Sequence, residues 1–165
     1  MFNFRSLIAI FFVNFTLLTS AFSQTQITVI DQNNNPLQNA VVEHLLNNPK
    51  GAELVTNDAD MTKASTYIMD QINKSFVPHV LVIPKNSLVS FPNSDDIRHH
   101  VYSFSPAKTF ELKLYASKPK SPVMFENEGI VVMGCNIHDS MVGYIYVTNQ
   151  SNAYITDDKG RTLIP

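Results

Sequence analysis

The amino-acid sequence predicts an all-β fold, an antiparallel sandwich of short strands. Short runs rich in Val, Ile, Tyr and Phe alternate with Pro, Asn, Asp and Gly, which is typical of strands joined by tight turns. The 165 residues are 44% hydrophobic and only 16% charged, a composition that excludes a disordered chain. This length predicts one domain with a single packed core. Many short strands with frequent turns favour a sandwich or a barrel.

Nine segments have the composition of strands. They are Ile27–Ile30, Val41–Leu45, Val80–Ile83, Leu88–Phe91, His100–Phe104, Phe110–Leu114, Val123–Phe125, Ile130–Cys135 and Tyr144–Val147. One further segment, Asp60–Asn73, has apolar residues at helix-like spacing, so we expect one short helix there. The residues from 24 to 75 are expected to add strands to one β-domain spanning 24–150. The polar tail, residues 151–165, is expected to pack loosely.

The first 23 residues have the features of a secretory signal peptide. Arg5 supplies a positive charge, the stretch Leu7–Leu18 is mostly apolar, and Ala21 and Ser23 are small residues before a cleavage site. The alternative is a retained membrane anchor, but the apolar run is shorter than the ~20 residues that a spanning helix needs. We therefore expect an exported protein with no stable membrane insertion after cleavage.

Charge and cysteine content exclude two classes of protein. Twelve basic and fourteen acidic side chains give a net charge of −2, whereas nucleic-acid binders normally have a basic excess. The single cysteine, Cys135, cannot form an internal disulfide, which excludes a small disulfide-stapled scaffold. In an oxidising compartment a lone thiol is vulnerable unless it is buried or bound to a metal.

Three potential metal ligands lie close together in the sequence, beginning with Cys135 at the end of a predicted strand. His138 and Met141 complete a C-x2-H-x2-M pattern, and the pair His99-His100 opens another predicted strand upstream. Two imidazoles and a thiolate in one plane, with a weak axial thioether, form the ligand set of a blue copper electron-transfer site. Zinc fits less well, because its sites are built from Cys, His and carboxylate ligands without a thioether. Each of these residues alone would be interpreted as an ordinary core or surface residue, but together they predict a site for one type 1 copper ion.

Three other functions remain as alternatives. An enzyme could use Cys135 as nucleophile with His138 as base, but nothing in the sequence orients such a base and Met141 is left unexplained. A copper-trafficking protein without an electron-carrier role would be expected to carry Met- or His-rich tracts, whereas the six methionines are scattered. A purely structural β-module would leave all four potential ligands without a function.

The chain resembles the cupredoxin superfamily, the plastocyanin and amicyanin group. The compact C-x2-H-x2-M loop is similar to that of amicyanin. Two stretches are still more similar to bacterial periplasmic plastocyanin-like proteins that are often labelled methylamine-utilization-like. The resemblance covers residues 76–147, and its stretches are FPNSDDIRHHVYSFSPAKTFELKLY and VVMGCNIHDSMVGYIYV.

The resemblance implies a cupredoxin-like Greek-key β-sandwich and a metal site formed by Cys135, His138, Met141 and one member of the histidine pair. It also implies a periplasmic electron carrier, not an enzyme, that is monomeric and meets its redox partners transiently. Relatives commonly have His-Asn-Val at the histidine pair, and this alignment makes His99 the ligand. Strand alternation instead groups His100 with the apolar Tyr102 and Phe104. We predict His99, with His100 as the alternative ligand or as a residue that supports the site.

Overall fold

The computed structural model describes residues 24–44, 65–117, 121–149 and 152–164. Within these residues every element of regular secondary structure is a β-strand, so the predicted all-β sandwich is confirmed. The predicted signal peptide lies outside the described residues. In the part of the chain that is described, no helix is long and apolar enough to cross a membrane. The strands are β1 (Thr25–Thr28), β2 (Val41–Glu43), β3 (Thr66–Ile68), β4 (Asp70–Ile72), β5 (Ser75–Val77), β6 (Val80–Pro84), β7 (Ser87–Ser90), β8 (His99–Ser105), β9 (Lys108–Tyr115), β10 (Val123–Phe125), β11 (Gly129–Cys135), β12 (Val142–Thr148), β13 (Ala153–Ile155) and β14 (Arg161–Ile164).

Each of the nine predicted strand segments overlaps an observed strand, but the predicted helix is wrong wherever its residues are described. The segment expected to be helical was Asp60–Asn73, and its residues from 65 onward contain β3 and β4. Met69 is fully buried whereas its neighbour Ile68 is 60% exposed, an alternation with the period of a strand. The rest of that segment, residues 60–64, lies outside the described residues.

Two sheets enclose the core. The main sheet has the strand order β6-β12-β11-β8-β9, and the smaller one has the order β10-β7-β3. In the main sheet β12 pairs in parallel with β6, whereas the other three pairs of neighbouring strands are antiparallel. The fully buried apolar side chains come from both sheets, as expected when the inner faces of a sandwich interdigitate. They include Val89, Val101, Phe125, Val131, Met133 and Ile145.

Alternation along β8 and β11 decides which side chains enter this core. In β8 the buried residues are His99, Val101 and Ser103, whereas Phe104 is 79% exposed on the outer face. In β11 the residues that face inward are Val131, Met133 and Cys135. The thiol of Cys135 therefore lies at the inner end of its strand.

The two ends of the described chain pair with each other. β1 pairs with β14, and β2 pairs with β13, so the tail that was expected to pack loosely forms two strands. The Glu43 carboxylate of β2 accepts hydrogen bonds from the hydroxyls of Thr148 and Tyr146 on β12. This arrangement, which we call the terminal module, is thereby attached to the main sheet.

Strands β4 and β5 form a separate two-stranded antiparallel hairpin. Its turn residues Asn73 and Lys74 have φ values of 52° and 57°, the left-handed conformation of a tight hairpin turn. Phe76 on β5 is buried and packs on Gly143 of β12. The hairpin is thus in contact with the main sheet.

We predict that Gly160→Ala destabilises the terminal module. Gly160 has φ +68°, and a methyl group there would meet the backbone carbonyl oxygen of Val29, which cannot rotate away. Left-handed strain and overpacking together should lower the free energy of unfolding by about 3 kcal/mol, measured by urea denaturation. Lys159→Ala, at the exposed neighbouring position, is the control and should change it by less than about 0.5 kcal/mol. Equal stability of the two variants would contradict this packing.

Candidate metal centre

The pairing of β8 with β11 brings the first histidine of the His-His pair next to the cysteine. The register places Cys135 opposite Val101, and the backbone N–H of Asn136 donates a hydrogen bond of 3.1 Å to the carbonyl of His100. Two residues apart on one strand, His99 and Val101 share a face. The imidazole of His99 therefore lies on the same inner side of the sheet as the thiol.

A tight loop after β11 returns a second imidazole to the thiol. The N–H of His138 donates to the carbonyl of Cys135 at 3.4 Å, and the N–H of Met141 donates to the carbonyl of His138 at 2.9 Å. These two successive turns keep the loop compact. Met141, the last residue before β12, is buried, with only 1% of its surface exposed.

Three donor atoms converge at this point. The distance from Cys135 Sγ to His99 Nδ1 is 3.6 Å, and that from Cys135 Sγ to His138 Nδ1 is 3.7 Å. All three donor atoms lie within 4.8 Å of one another. Donors bound to one first-row metal ion at about 2.0–2.3 Å, with angles of about 110–120° between them, lie about 3.3–4.0 Å apart. The spacing therefore fits an ion at the centre of the cluster.

The far side of the His99 ring is held by a carboxylate. His99 is fully buried, and its Nε2 lies 2.8 Å from Asp95 Oδ2. Burial alone would raise the pKa of the Asp95 carboxyl, but hydrogen bonds from the Lys74 backbone, the His99 ring and the Asn73 backbone hold that pKa below its usual value. An ionised carboxylate can only accept, so Nε2 carries a proton, and in the neutral ring Nδ1 then presents its lone pair to the thiol.

The structure separates the two neighbouring histidines. The ring of His100 points to the outer face of the sheet, where its Nε2 lies 2.8 Å from Glu111 Oε1 and its ring contacts that of Tyr102 edge-on. The donor cluster contains His99, Cys135 and His138. Of the predicted site residues, His100 is therefore the one that the fold directs away from the cluster.

Asp95 is the site residue that sequence reasoning missed. The sequence around it, Ser94-Asp95-Asp96-Ile97, offers two adjacent carboxylates four and three residues before His99. Only the loop conformation selects Asp95, because Asn93 Oδ1 accepts its backbone N–H at 3.0 Å and so orients that residue. A carboxylate four residues before a candidate ligand was the available signal.

Comparison with known proteins finds likeness only among solved structures. No protein-family model and no curated protein matches this chain. A copper-containing nitrite reductase (NirK) from Thermus scotoductus SA-01 is 24% identical, covering 53% of this chain and 23% of its own length, with a TM-score of 0.49. A purple cupredoxin from Nitrosopumilus maritimus is 23% identical over 51% of this chain and 99% of its own, with a TM-score of 0.44. An oxidized mutant of amicyanin is 16% identical over 50% of this chain and 82% of its own, with a TM-score of 0.44.

The cupredoxins that the sequence resembles are therefore found among the matching structures. The inference of a metal centre follows from the donor atoms of this chain.

We predict very unequal effects on copper affinity when the two adjacent histidines are removed one at a time. His99→Ala removes a buried donor and should weaken Cu(II) binding by more than about 100-fold. His100→Ala removes a ring from the outer face and should change the affinity by less than about threefold, since its contact with Glu111 is partly exposed and lies away from the donor cluster. Competition titration against a chelator of known affinity measures both. The reverse order of effects would contradict the placement of His99.

Proposed function

We propose that this chain is an exported protein with one type 1 copper ion, and that it carries single electrons between redox partners. The observation that supports this proposal is the convergence of His99 Nδ1, Cys135 Sγ and His138 Nδ1 within 4.8 Å of one another. Two imidazoles and one thiolate in this arrangement are the equatorial ligands of blue copper sites. We propose Met141 as the axial ligand, because its buried thioether ends the loop that carries His138.

Copper in such a site would supply a one-electron couple between Cu(II) and Cu(I). The residues of this chain supply the fixed geometry that both oxidation states share. His99 is held from behind by Asp95, Cys135 ends a paired strand, and His138 is held by the turn between Cys135 and Met141. Because these contacts fix the donors in the metal-free chain, little rearrangement of the chain would be needed when a bound ion changed its charge.

The proposed electron port is the edge of His138. This residue is partly exposed, and its neighbour Ile137 is 49% exposed, so an apolar side chain flanks the ring at the surface. By resemblance to cupredoxins, a redox partner would dock here. Redox contacts of this kind are small and short-lived, burying less than about 1,200 Å² in total. We propose that the protein acts as a monomer in the periplasm, in keeping with the signal peptide that residues 1–23 resemble.

The position of a sizeable cleft, away from the proposed copper ligands, supports a carrier rather than an enzyme. A cleft of about 630 Å³ lies between the terminal module and the outer face of the main sheet, where its lining includes His79, Tyr144 and Ile130. None of the four proposed ligands lines it. A substrate seated there would face the outer side of the sheet, whereas the thiol of Cys135 faces the inner side.

The proposal predicts an intense blue absorption with Cu(II) and a reversible one-electron titration. Stepwise reduction and reoxidation should consume about one electron per copper ion with the copper content unchanged, measured by absorption and metal analysis in parallel. Cys135→Ser is the control: it should remove the blue band, because thiolate-to-copper charge transfer produces that band.

Two results would overturn the proposal in different ways. A colourless wild-type protein with copper bound would exclude a type 1 site. Release of copper on each reduction cycle would instead favour a trafficking role, in which the protein delivers copper without acting as an electron carrier.

A further inference from the structure

We propose that the β4–β5 hairpin, residues Asp70–Val77, positions the ligand His99 and so sets the affinity of the metal centre. This inference rests on the proposed metal site and adds to it an element outside both the ligand loop and the strands that carry the ligands. The hairpin contacts the site's surroundings at three places: its turn, the inner edge of β4, and the buried face of β5.

The turn contacts the carboxylate that holds His99. The backbone N–H groups of Asn73 and Lys74 donate to the two oxygens of Asp95 at 2.5 and 2.9 Å. The second of these oxygens, Oδ2, also accepts the Nε2 proton of His99 at 2.8 Å. Both turn residues adopt left-handed φ values, and this conformation points two successive N–H groups towards one carboxylate. Asp95 therefore joins the turn to the imidazole.

Gln71 of β4 is hydrogen-bonded to the segment that leads to His99. Gln71 donates its backbone N–H to the carbonyl of Pro92 at 3.1 Å and accepts from the N–H of Ser94 at 3.0 Å. Its side-chain amide, fully buried, donates to the hydroxyl of Tyr115 at 2.6 Å. Tyr115 lies opposite His99 in the pairing of β8 with β9. The hairpin thus holds the His99 environment from a second direction.

The buried face of β5 reaches the strand that follows the ligand loop. Phe76 is 1% exposed and packs so closely on Gly143 that a methyl group at Gly143 would lie 2.8 Å from the Phe76 Cβ. Gly143 is two residues after Met141. One small hairpin therefore contacts both the segment before His99 and the strand after the loop that carries His138.

Loosening the turn should release Asp95 and leave the His99 ring free to change its tautomer and its angle. Removing a hydrogen-bonding partner of a ligating histidine typically weakens metal binding 10- to 100-fold. A change in the turn, which has no metal-ligating side chain, should therefore weaken metal binding to a similar extent.

The test replaces one donor of the turn. Lys74→Pro removes the N–H that binds Asp95 and cannot adopt a positive φ. We expect the affinity for Co(II), titrated through its thiolate absorption, to fall about 10- to 100-fold. In the metal-free protein, nitrogen NMR of His99 should change from a single Nε2-protonated tautomer to a mixture. If Lys74→Pro does not fold, Lys74→Ile keeps the N–H, disfavours the left-handed turn, and should show the same changes at smaller size.

Matched controls come from a similar turn in the terminal module. Asp31 accepts the backbone N–H groups of Asn33 and Asn35 at 2.8 Å each, and Asn34 there has φ 64°. Asn34→Pro places a proline at the left-handed position of this turn, and Asp31→Asn removes the charge of its carboxylate, both away from the metal centre. Both should leave the Co(II) affinity and the His99 tautomer unchanged.

A double-mutant cycle separates positioning from general loosening. Lys74→Pro and Asp95→Asn act through one hydrogen-bond network, so the double variant should bind Co(II) no more than about threefold more weakly than the weaker single variant. Effects that multiply would show that the turn does not act through Asp95, and would overturn the inference. So would a folded Lys74→Pro variant with wild-type affinity and an unchanged tautomer. If wild-type protein binds neither Co(II) nor Cu(II), the proposed function fails, and the NMR measurement alone decides whether the turn holds His99.

Discussion

Because side chains alternate between the two faces of a strand, the register of β8 against β11 determines which side chains meet at the candidate metal centre. Cys135 lies opposite Val101, so the thiol faces the core and His99 faces the same side. A shift of one residue would place the thiol on the outer face of the sheet, the face that carries His100 and Phe104. The compact loop that returns His138 only completes a geometry that the paired strands have already determined.

This register places polar groups where they are costly unless they are satisfied. An unpaired buried donor or acceptor costs about 1–3 kcal/mol, and His99 is fully buried. Asp95 satisfies one ring nitrogen of His99, and the β4–β5 turn satisfies Asp95 in its turn. The other ring nitrogen is left facing Cys135 Sγ. The network therefore offsets the cost of burying Nε2 of His99, and it leaves Nδ1 in position to bind a metal ion.

Features of the fold and the site that depend on local composition could be predicted from the sequence. Strand segments were recognisable from their residues, and C-x2-H-x2-M marked the loop because its members are close along the chain. The sequence could not decide which face of β8 is buried, since the outer face carries Phe104, 79% exposed, and the inner face carries Ser103, fully buried. The helix expected around Met69 is wrong because β3 is ordered by pairing with the distant strand β7, and β4 by forming a hairpin with β5. Asp95 could not be distinguished from Asp96 without the loop conformation.

The central claim is that one thiolate and two imidazoles of this fold bind a single copper ion in the same geometry in both oxidation states. X-ray absorption at the copper edge, recorded on oxidised and reduced wild-type protein, tests this claim most directly. The account predicts one short sulfur and two nitrogen neighbours in each state, with only small changes in their distances. Absence of the short sulfur neighbour, or a change in the number of ligands between the two states, would contradict it.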